Sequence, residues 1–136
     1  MKITQETDYA LRIVLFLSKA GIDNCIEAKT ISESERIPFR FALKILRKLT
    51  KAGVIKAYRG INGGYALNKT PENITLKDVV EAIDGPICVN RCLYDAAYCN
   101  LNRTNTCTVH KALDNVRETL LRELESVNFK NLMEKE

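Results

Sequence analysis

The sequence contains a single histidine and no long run of apolar residues. A helix that crosses a membrane needs about 18 or more consecutive apolar residues, so we predict no membrane span. The first residues, MKITQETDYA, do not place a basic segment before an apolar one, and we expect no signal peptide. There is no phosphate-binding loop or nucleotide-binding glycine fingerprint, and one histidine leaves few choices for general base catalysis. These absences argue against an enzyme with a small-molecule substrate.

Cysteine, by contrast, is concentrated in one stretch. Four of the five cysteines and the histidine lie between residues 88 and 110, spaced C-x3-C-x6-C-x7-C-x2-H. Soft metals and iron–sulfur clusters bind several thiolates brought to one point, sometimes completed by an imidazole or a carboxylate. In a cytosolic protein such cysteines more often bind metal or respond to redox conditions than form structural disulfides. The candidate ligands are Cys88, Cys92, Cys99, Cys107 and His110. Cys25 is remote in sequence and is interpreted as a bystander.

Positive charge is concentrated in the first half of the chain. Residues 1–69 contain 13 Lys and Arg against 6 Asp and Glu, a net charge of +7. Residues 70–136 contain 8 against 11, a net charge of −3. A basic half is typical of proteins that bind a polyanion, although a modest excess of charge is also common on solvated surfaces.

Apolar periodicity predicts three helices at the start of a mainly α-helical chain. The first, from Thr4 to Ala20, is apolar on most faces beyond Tyr9 and is therefore predicted to be buried. A short helix from about Ala28 to Glu35 follows. After a two-residue turn, Pro38 is well placed at the first position of the third helix.

The third helix has one apolar face and one basic face. The apolar set follows the i, i+3, i+4, i+7 spacing of a core-facing stripe and consists of Ala42, Ile45, Leu46 and Leu49. The opposite side carries Arg40, Lys44, Arg47 and Lys51. A short helix, a tight turn and a helix with a basic face form a helix-turn-helix, whose second helix can enter the major groove of DNA.

A β-hairpin is predicted directly after this helix. The segments VIKAY and YALN have the pattern of two short strands around the turn RGINGG, in which Gly63 and Gly64 allow a positive φ. Helix, helix-turn-helix and hairpin together form a winged helix-turn-helix. Arg59 lies near the tip of the wing, where a guanidinium can enter a minor groove or contact a phosphate.

The last helix carries an apolar seam of heptad-like spacing. Before it, Thr75 and Asp78 form a capping box for a helix that ends at Gly85. The seam consists of Val109, Leu113, Val116, Leu120, Leu124 and Val127. We favour its burial against a second subunit, which would present two winged helices to a palindromic operator, over folding back on its own winged helix. The tail from Asn128 is compatible with one extra turn, which we do not predict.

Over nearly its whole length the chain resembles the iron–sulfur winged-helix transcriptional regulators of the IscR and NsrR type. The resemblance rests on ITQETDYALRIVLFL, on LKILRKLTKAGVIKAYRGINGGYAL, on ITLKDVVEAIDGP, and on three loop cysteines followed by a long helix. It implies a homodimeric, cytoplasmic bacterial regulator that holds a 2Fe-2S or 4Fe-4S cluster. We divide the chain into a DNA-binding winged helix-turn-helix at 1–84, a cluster-binding loop at 85–108, and a dimerisation helix with its tail at 109–136.

By position, the three family cysteines correspond to Cys92, Cys99 and Cys107. The gaps between them are longer than is usual in the family, and Cys88 is an additional cysteine. The resemblance offers two fourth ligands. We favour Asp8 of the partner subunit, as in the NsrR type, over His110, as in the IscR type.

Cys88 is a less favoured fourth ligand. Each candidate also has an ordinary structural role as its alternative: an ion pair with Arg12 for Asp8, an exposed or capping imidazole for His110, and a buried thiol for Cys88.

The predicted DNA contacts are Arg36, Arg40, Lys44, Arg47, Arg59 and Lys2. Through its cluster the protein would sense redox state, nitric oxide or iron–sulfur status. The alternative is a cluster-free regulator whose thiols oxidise reversibly or hold structural zinc, although the long gaps fit poorly with the close cysteine pairs of zinc sites.

Overall fold

In the computed structural model, which describes residues 2–135, the chain forms seven α-helices and one antiparallel hairpin. The elements are α1 (Gln5–Ala20), α2 (Ala28–Glu35), α3 (Phe39–Lys51), β1 (Ile55–Tyr58), β2 (Gly64–Leu67), α4 (Leu76–Asp84), α5 (Arg91–Tyr94), α6 (Thr108–Ser126) and α7 (Phe129–Glu134). Short 3-10 turns lie at Pro71–Asn73 and Ala96–Tyr98. The predicted mainly α architecture with a small hairpin and a long C-terminal helix is confirmed. No helix among these residues is long and apolar enough to cross a membrane.

The core is built around α1. The Thr4 hydroxyl caps this helix by accepting a hydrogen bond from the Thr7 N–H at 3.1 Å. Its inner face is fully buried, with Ile13, Val14 and Leu17 all at 0% exposure. The predicted core-facing stripe of α3 is buried against it. Periodicity alone therefore identified the buried face of α3, whereas for α1 it predicted burial without a particular face.

A left-handed residue makes the turn between α2 and α3. Arg36 has φ 53° and ends α2, and the Ile37 N–H donates to the Ser32 carbonyl at 2.9 Å. This conformation costs a residue other than glycine about 1 kcal/mol. Pro38 lies one residue before α3 begins. The basic side of α3 is exposed to solvent.

The wing is tied to the rest of the fold at its base. β1 and β2 pair from Ile55↔Leu67 to Tyr58↔Gly64, and Tyr65 also exchanges two backbone hydrogen bonds with Ile26, at 2.8 and 2.9 Å. Positive φ occurs at Gly60 (108°) and at Gly64 (157°), so our expectation is confirmed for Gly64 and wrong for Gly63. Gly63 is required for space instead, because a Cβ there would lie 2.5 Å from the Tyr58 carbonyl oxygen.

The tail after α6 returns to the winged helix. The Phe129 N–H donates to the Ile74 carbonyl and the Leu76 N–H donates to the Val127 carbonyl, both at 3.0 Å. These bonds lie beside the predicted Thr75–Asp78 capping box, which is present. Phe129 is 1% exposed and belongs to the core. The tail therefore forms a helix, α7, that the sequence analysis did not predict.

Candidate functional site

The cysteine loop, the segment between α4 and α6, is shaped by short-range hydrogen bonds. Asn90 caps α5 by accepting from the Arg91 N–H at 2.8 Å, and its amide lies 3.4 Å from Cys92 Sγ. Asp95 caps the following turn by accepting from the Ala97 N–H at 3.0 Å. All five cysteines of the chain are free thiols and half-buried.

One long-range contact brings two candidate ligands together. Cys92 Sγ lies 3.0 Å from His110 Nδ1, which joins α5 to the first turn of α6. Cys107 is the N-cap of α6, and its sulfur accepts from the His110 N–H at 3.4 Å. The His110 imidazole is thus neither fully exposed nor the cap of α6. Within residues 2–135, however, no three His, Cys, Asp or Glu side chains are grouped closely enough to hold a metal ion.

Cys99 is set apart from this contact and has its own electrostatic environment. The Arg103 backbone N–H, 3.4 Å from Cys99 Sγ, is the main cause that lowers the pKa of this thiol, and the Leu101 N–H adds to it. A lowered pKa increases the share of thiolate, the form that binds metal. Three cysteine sulfurs, one imidazole and N–H donors to sulfur together match the donor chemistry of an iron–sulfur cluster.

Asp8 and Cys88, the other two candidates for the fourth ligand, have different neighbours from those of His110. Asp8 is exposed on α1, with its carboxylate 3.6 Å from Arg12 Nε, as in the ordinary alternative given above. The Arg12 guanidinium also donates to the Glu35 carbonyl at 3.2 Å and lies over the Tyr9 ring. Cys88 is half-buried and lines a cavity of about 280 Å³ beside the start of α1.

The segment that forms α3 and the wing is basic and carries no acidic residue of its own. From residue 36 to residue 71 there are nine Lys and Arg and no Asp or Glu, a signal that is present in the sequence and that our sequence analysis missed. Among the predicted DNA contacts, the side chains exposed in this stretch are Arg36, Arg40, Lys44, Arg47 and Arg59. The positive potential of this region is therefore not offset by its own sequence.

Lys44 and Lys48 of α3 share one carboxylate of α1. Glu6 lies 3.3 Å from Lys44 Nζ and accepts a hydrogen bond from Lys48, whose Nζ also reaches the Ile83 carbonyl at 3.5 Å. Burial alone would raise the pKa of Glu6, but the hydrogen bonds and charges of both lysines outweigh it and lower the pKa. Some of the positive charge on α3 is thereby neutralised within the protein.

Lys2 is exposed just before the start of α1. It lines the same cavity as Cys88, next to the residues that open the cysteine loop. Its role as a DNA contact stays a prediction.

The long seam of α6 is only partly covered by its own chain. No residue from 88 to 128 is buried, although the Arg117 Nε–H attaches α6 to the Ile87 carbonyl at 2.8 Å. Val109 and Val116 are 61% and 54% exposed. Leu113, Leu120 and Leu124 are half-buried. An apolar stripe thus remains open to solvent in the single chain.

Comparison with known proteins places the chain among regulators. Residues 3–135 match a family model described as "Rrf2: Iron-dependent Transcriptional regulator". An Rrf2-like HTH-type transcriptional regulator of Rhodobacter capsulatus is 40% identical over 99 residues, which cover 71% of this chain and 66%, just under two thirds, of that relative.

Solved structures agree on the fold over the full length. CymR, the global cysteine regulator of B. subtilis, has a TM-score of 0.77 at 25% identity, covering 100% of this chain and 98% of CymR. IscR of T. potens has a TM-score of 0.72 at 18% identity, covering 99% and 88%. The predicted winged helix, the resemblance to IscR-type regulators and the prediction that the chain is no enzyme are confirmed. The chain belongs to the Rrf2 family of transcriptional regulators.

Proposed function

We propose that the protein is a homodimeric transcription factor that binds double-stranded DNA and is switched by an iron–sulfur cluster in the cysteine loop. The observation that carries this proposal is the 3.0 Å contact between Cys92 Sγ and His110 Nδ1. It places soft donors at the point where the loop meets α6. When bound, the cluster would supply a centre that reacts with oxidants or nitric oxide or is lost when iron is scarce.

DNA binding is supported by the positive charge of α3 and the wing, which Glu6 offsets only in part, at two lysines of α3. Arg40 and Arg47 would contact bases or phosphates in the major groove, and Arg59 would contact the minor groove or its phosphates. Lys44 is a less favoured DNA contact, because its ammonium group already pairs with Glu6. A transcription factor acts where its DNA lies, so the cytoplasm is the proposed location.

Dimerisation is supported by the open seam of α6. Pairing two copies of α6 about a two-fold axis would cover Val109 and Val116 and would present two copies of α3 to a palindromic operator. Cys107 caps α6, and Cys92 contacts the first turn of the same helix. A change in the loop can therefore shift the dimer helix, provided that the two loop states favour different dimer geometries.

The fourth ligand is proposed to be His110 rather than Asp8, which the sequence analysis favoured. His110 already contacts a ligand cysteine within its own chain. Asp8 would have to give up its ion pair with Arg12 and reach the loop of the partner subunit. Carboxylates are also less usual on these clusters than sulfur or imidazole ligands.

A second candidate function is a cluster-free regulator switched by thiol oxidation. The free thiols, the lowered pKa of Cys99 and the similarity to CymR, described as a cysteine regulator, support it. Thiolates with a lowered pKa are the ones that oxidants attack first.

Anaerobic purification with measurement of iron, sulfide and zinc per chain separates these functions. We expect visible charge-transfer absorption with matched iron and sulfide, strongly reduced by His110→Ala and little changed by Asp8→Ala or Cys88→Ser. Cys25→Ser is the matched control, because this thiol lies outside the loop. A larger loss in Asp8→Ala would assign the ligand to the partner subunit. A protein that stays free of iron after reconstitution, yet binds DNA in a thiol-dependent way, would establish the second function instead.

A further inference from the structure

The wing presents one fully exposed apolar side chain at its tip. Ile61 is 98% exposed. It lies in a tight turn, in which the Gly63 N–H donates to the Gly60 carbonyl at 2.9 Å. A Cβ at residue 63 would collide with the Tyr58 carbonyl oxygen. The turn is therefore compact, and it holds Ile61 away from the rest of the protein.

The surroundings of Ile61 indicate what kind of surface it meets. Arg59 precedes it in the turn, and Lys56 Nζ lies 5.4 Å from the centre of the half-exposed Tyr58 ring. No acidic residue occurs between residues 36 and 71. A single exposed apolar residue is common on protein surfaces and needs no explanation by itself. Here it is combined with cations and a compact projecting turn, and this combination fits a polyanion with an apolar interior.

We propose that Ile61 enters the minor groove of bound DNA as an apolar wedge, beside the guanidinium of Arg59. This inference rests on the proposed DNA-binding function and adds a specificity determinant to it. Proteins that bind the minor groove insert isoleucine and similar side chains between two stacked base pairs, because burial of the side chain offsets some of the cost of unstacking. Asn62, next to Ile61, is polar and is not assigned a role.

The wedge predicts a sequence preference at positions that α3 does not touch. Pyrimidine–purine steps such as TA and CA unstack most easily, so an inserted side chain favours them. With α3 in the major groove, the wing reaches the adjacent minor groove. Each half-site of the operator should therefore have a flexible step at one fixed distance from the bases read by α3.

Selection from a random duplex library tests this inference with the full-length dimer. Wild type is compared with Ile61→Ala, with Ile61→Leu as the control of similar size, and with Arg59→Ala. We expect wild type and Ile61→Leu to enrich a flexible step beside each half-site. Ile61→Ala should keep the half-site pattern, lose the flanking preference and bind the selected duplex about fivefold or more weakly. Ile61→Ala should also bend that duplex less, as measured by fluorescence energy transfer between dyes at its two ends.

Other results would overturn the inference. If Ile61→Ala keeps both the flanking preference and the affinity while Arg59→Ala weakens binding, the wedge is wrong and the proposed function stands. A change in oligomeric state on Ile61→Ala, with an unchanged flanking preference, would place Ile61 in a contact between copies of the chain. If wild type enriches no sequence at all, the proposed function and the wedge are both wrong.

Discussion

The winged helix and the segment from Cys88 to Asn128 differ in how they are held together. The winged helix contains a continuous core that runs from α1 to α4 and includes Phe129 of α7. Between Cys88 and Asn128 no residue is buried. The first region is stable through its own apolar contacts, whereas the second lacks the burial that normally offsets the entropy of ordering a chain.

Polar contacts repeat this contrast. In the winged helix they join distant segments of the chain, as when the Thr7 hydroxyl donates to Asp84 at 2.7 Å. In the cysteine loop most of them cap a neighbouring turn. The Cys92–His110 contact is an exception, since it joins the loop to α6. The second region is therefore the one whose structure a bound cluster or a second subunit can change.

Phe129→Ala should break the comparison most strongly, because it removes a core side chain that α7 supplies just after the second region ends. We expect the free energy of unfolding to fall by about 3–5 kcal/mol, the usual range for a buried phenylalanine. Urea unfolding followed by circular dichroism measures it. Phe39→Ala, at a site 47% exposed, is the control and should change stability by about 0.5 kcal/mol or less. Equal effects of the two variants would mean that α7 does not complete the core.

Val116→Lys tests whether the second region is completed by another subunit. A lysine in the middle of a paired seam would be buried without a partner, so the dimer should weaken by at least about 2 kcal/mol, or roughly thirtyfold in Kd. Sedimentation velocity over a dilution series measures the change. Glu118→Lys places the same side chain away from the seam and should leave the dimer intact. A Val116→Lys dimer of unchanged affinity would contradict the pairing of α6.

The same contrast explains how much could be predicted from the sequence. The buried face of α3 and the capping box at Thr75 follow from spacing and from local hydrogen bonding, which are properties of short segments. The role of Phe129 could not be predicted this way, because the tail carries too few residues for a period and its partners, Ile74 and α1, are distant in sequence. The Cys92–His110 contact could not be predicted either. It depends on the path of a loop that has no apolar period.

Glu6→Gln probes a polar contact of the winged helix that is sensitive to pH. The pKa of Glu6 is lowered in the fold, so its contribution is present above the ordinary value of 4.5 and is lost as the pH falls through the lowered pKa. We expect the variant to be about 1 kcal/mol less stable than wild type at pH 7. The difference should shrink in acid. Urea unfolding at several pH values measures it, with Glu33→Gln on the exposed side of α2 as the control. A difference that persists in acid would assign the effect to packing rather than to charge.

Leu101→Ala should have the smallest effect on stability. It tests the comparison at a residue of the cysteine loop. Leu101 is 63% exposed, so its removal from the metal-free protein should change the free energy of unfolding by no more than about 0.5 kcal/mol. Leu46→Ala, the same substitution at 0% exposure, should cost about 2–5 kcal/mol. Urea unfolding under anaerobic conditions with a chelator measures both. A loss above about 1 kcal/mol at Leu101 would mean that the loop packs against the protein even without a cluster. The conformation of the loop would then not depend on cluster binding, and switching would have to arise within the dimer helix itself.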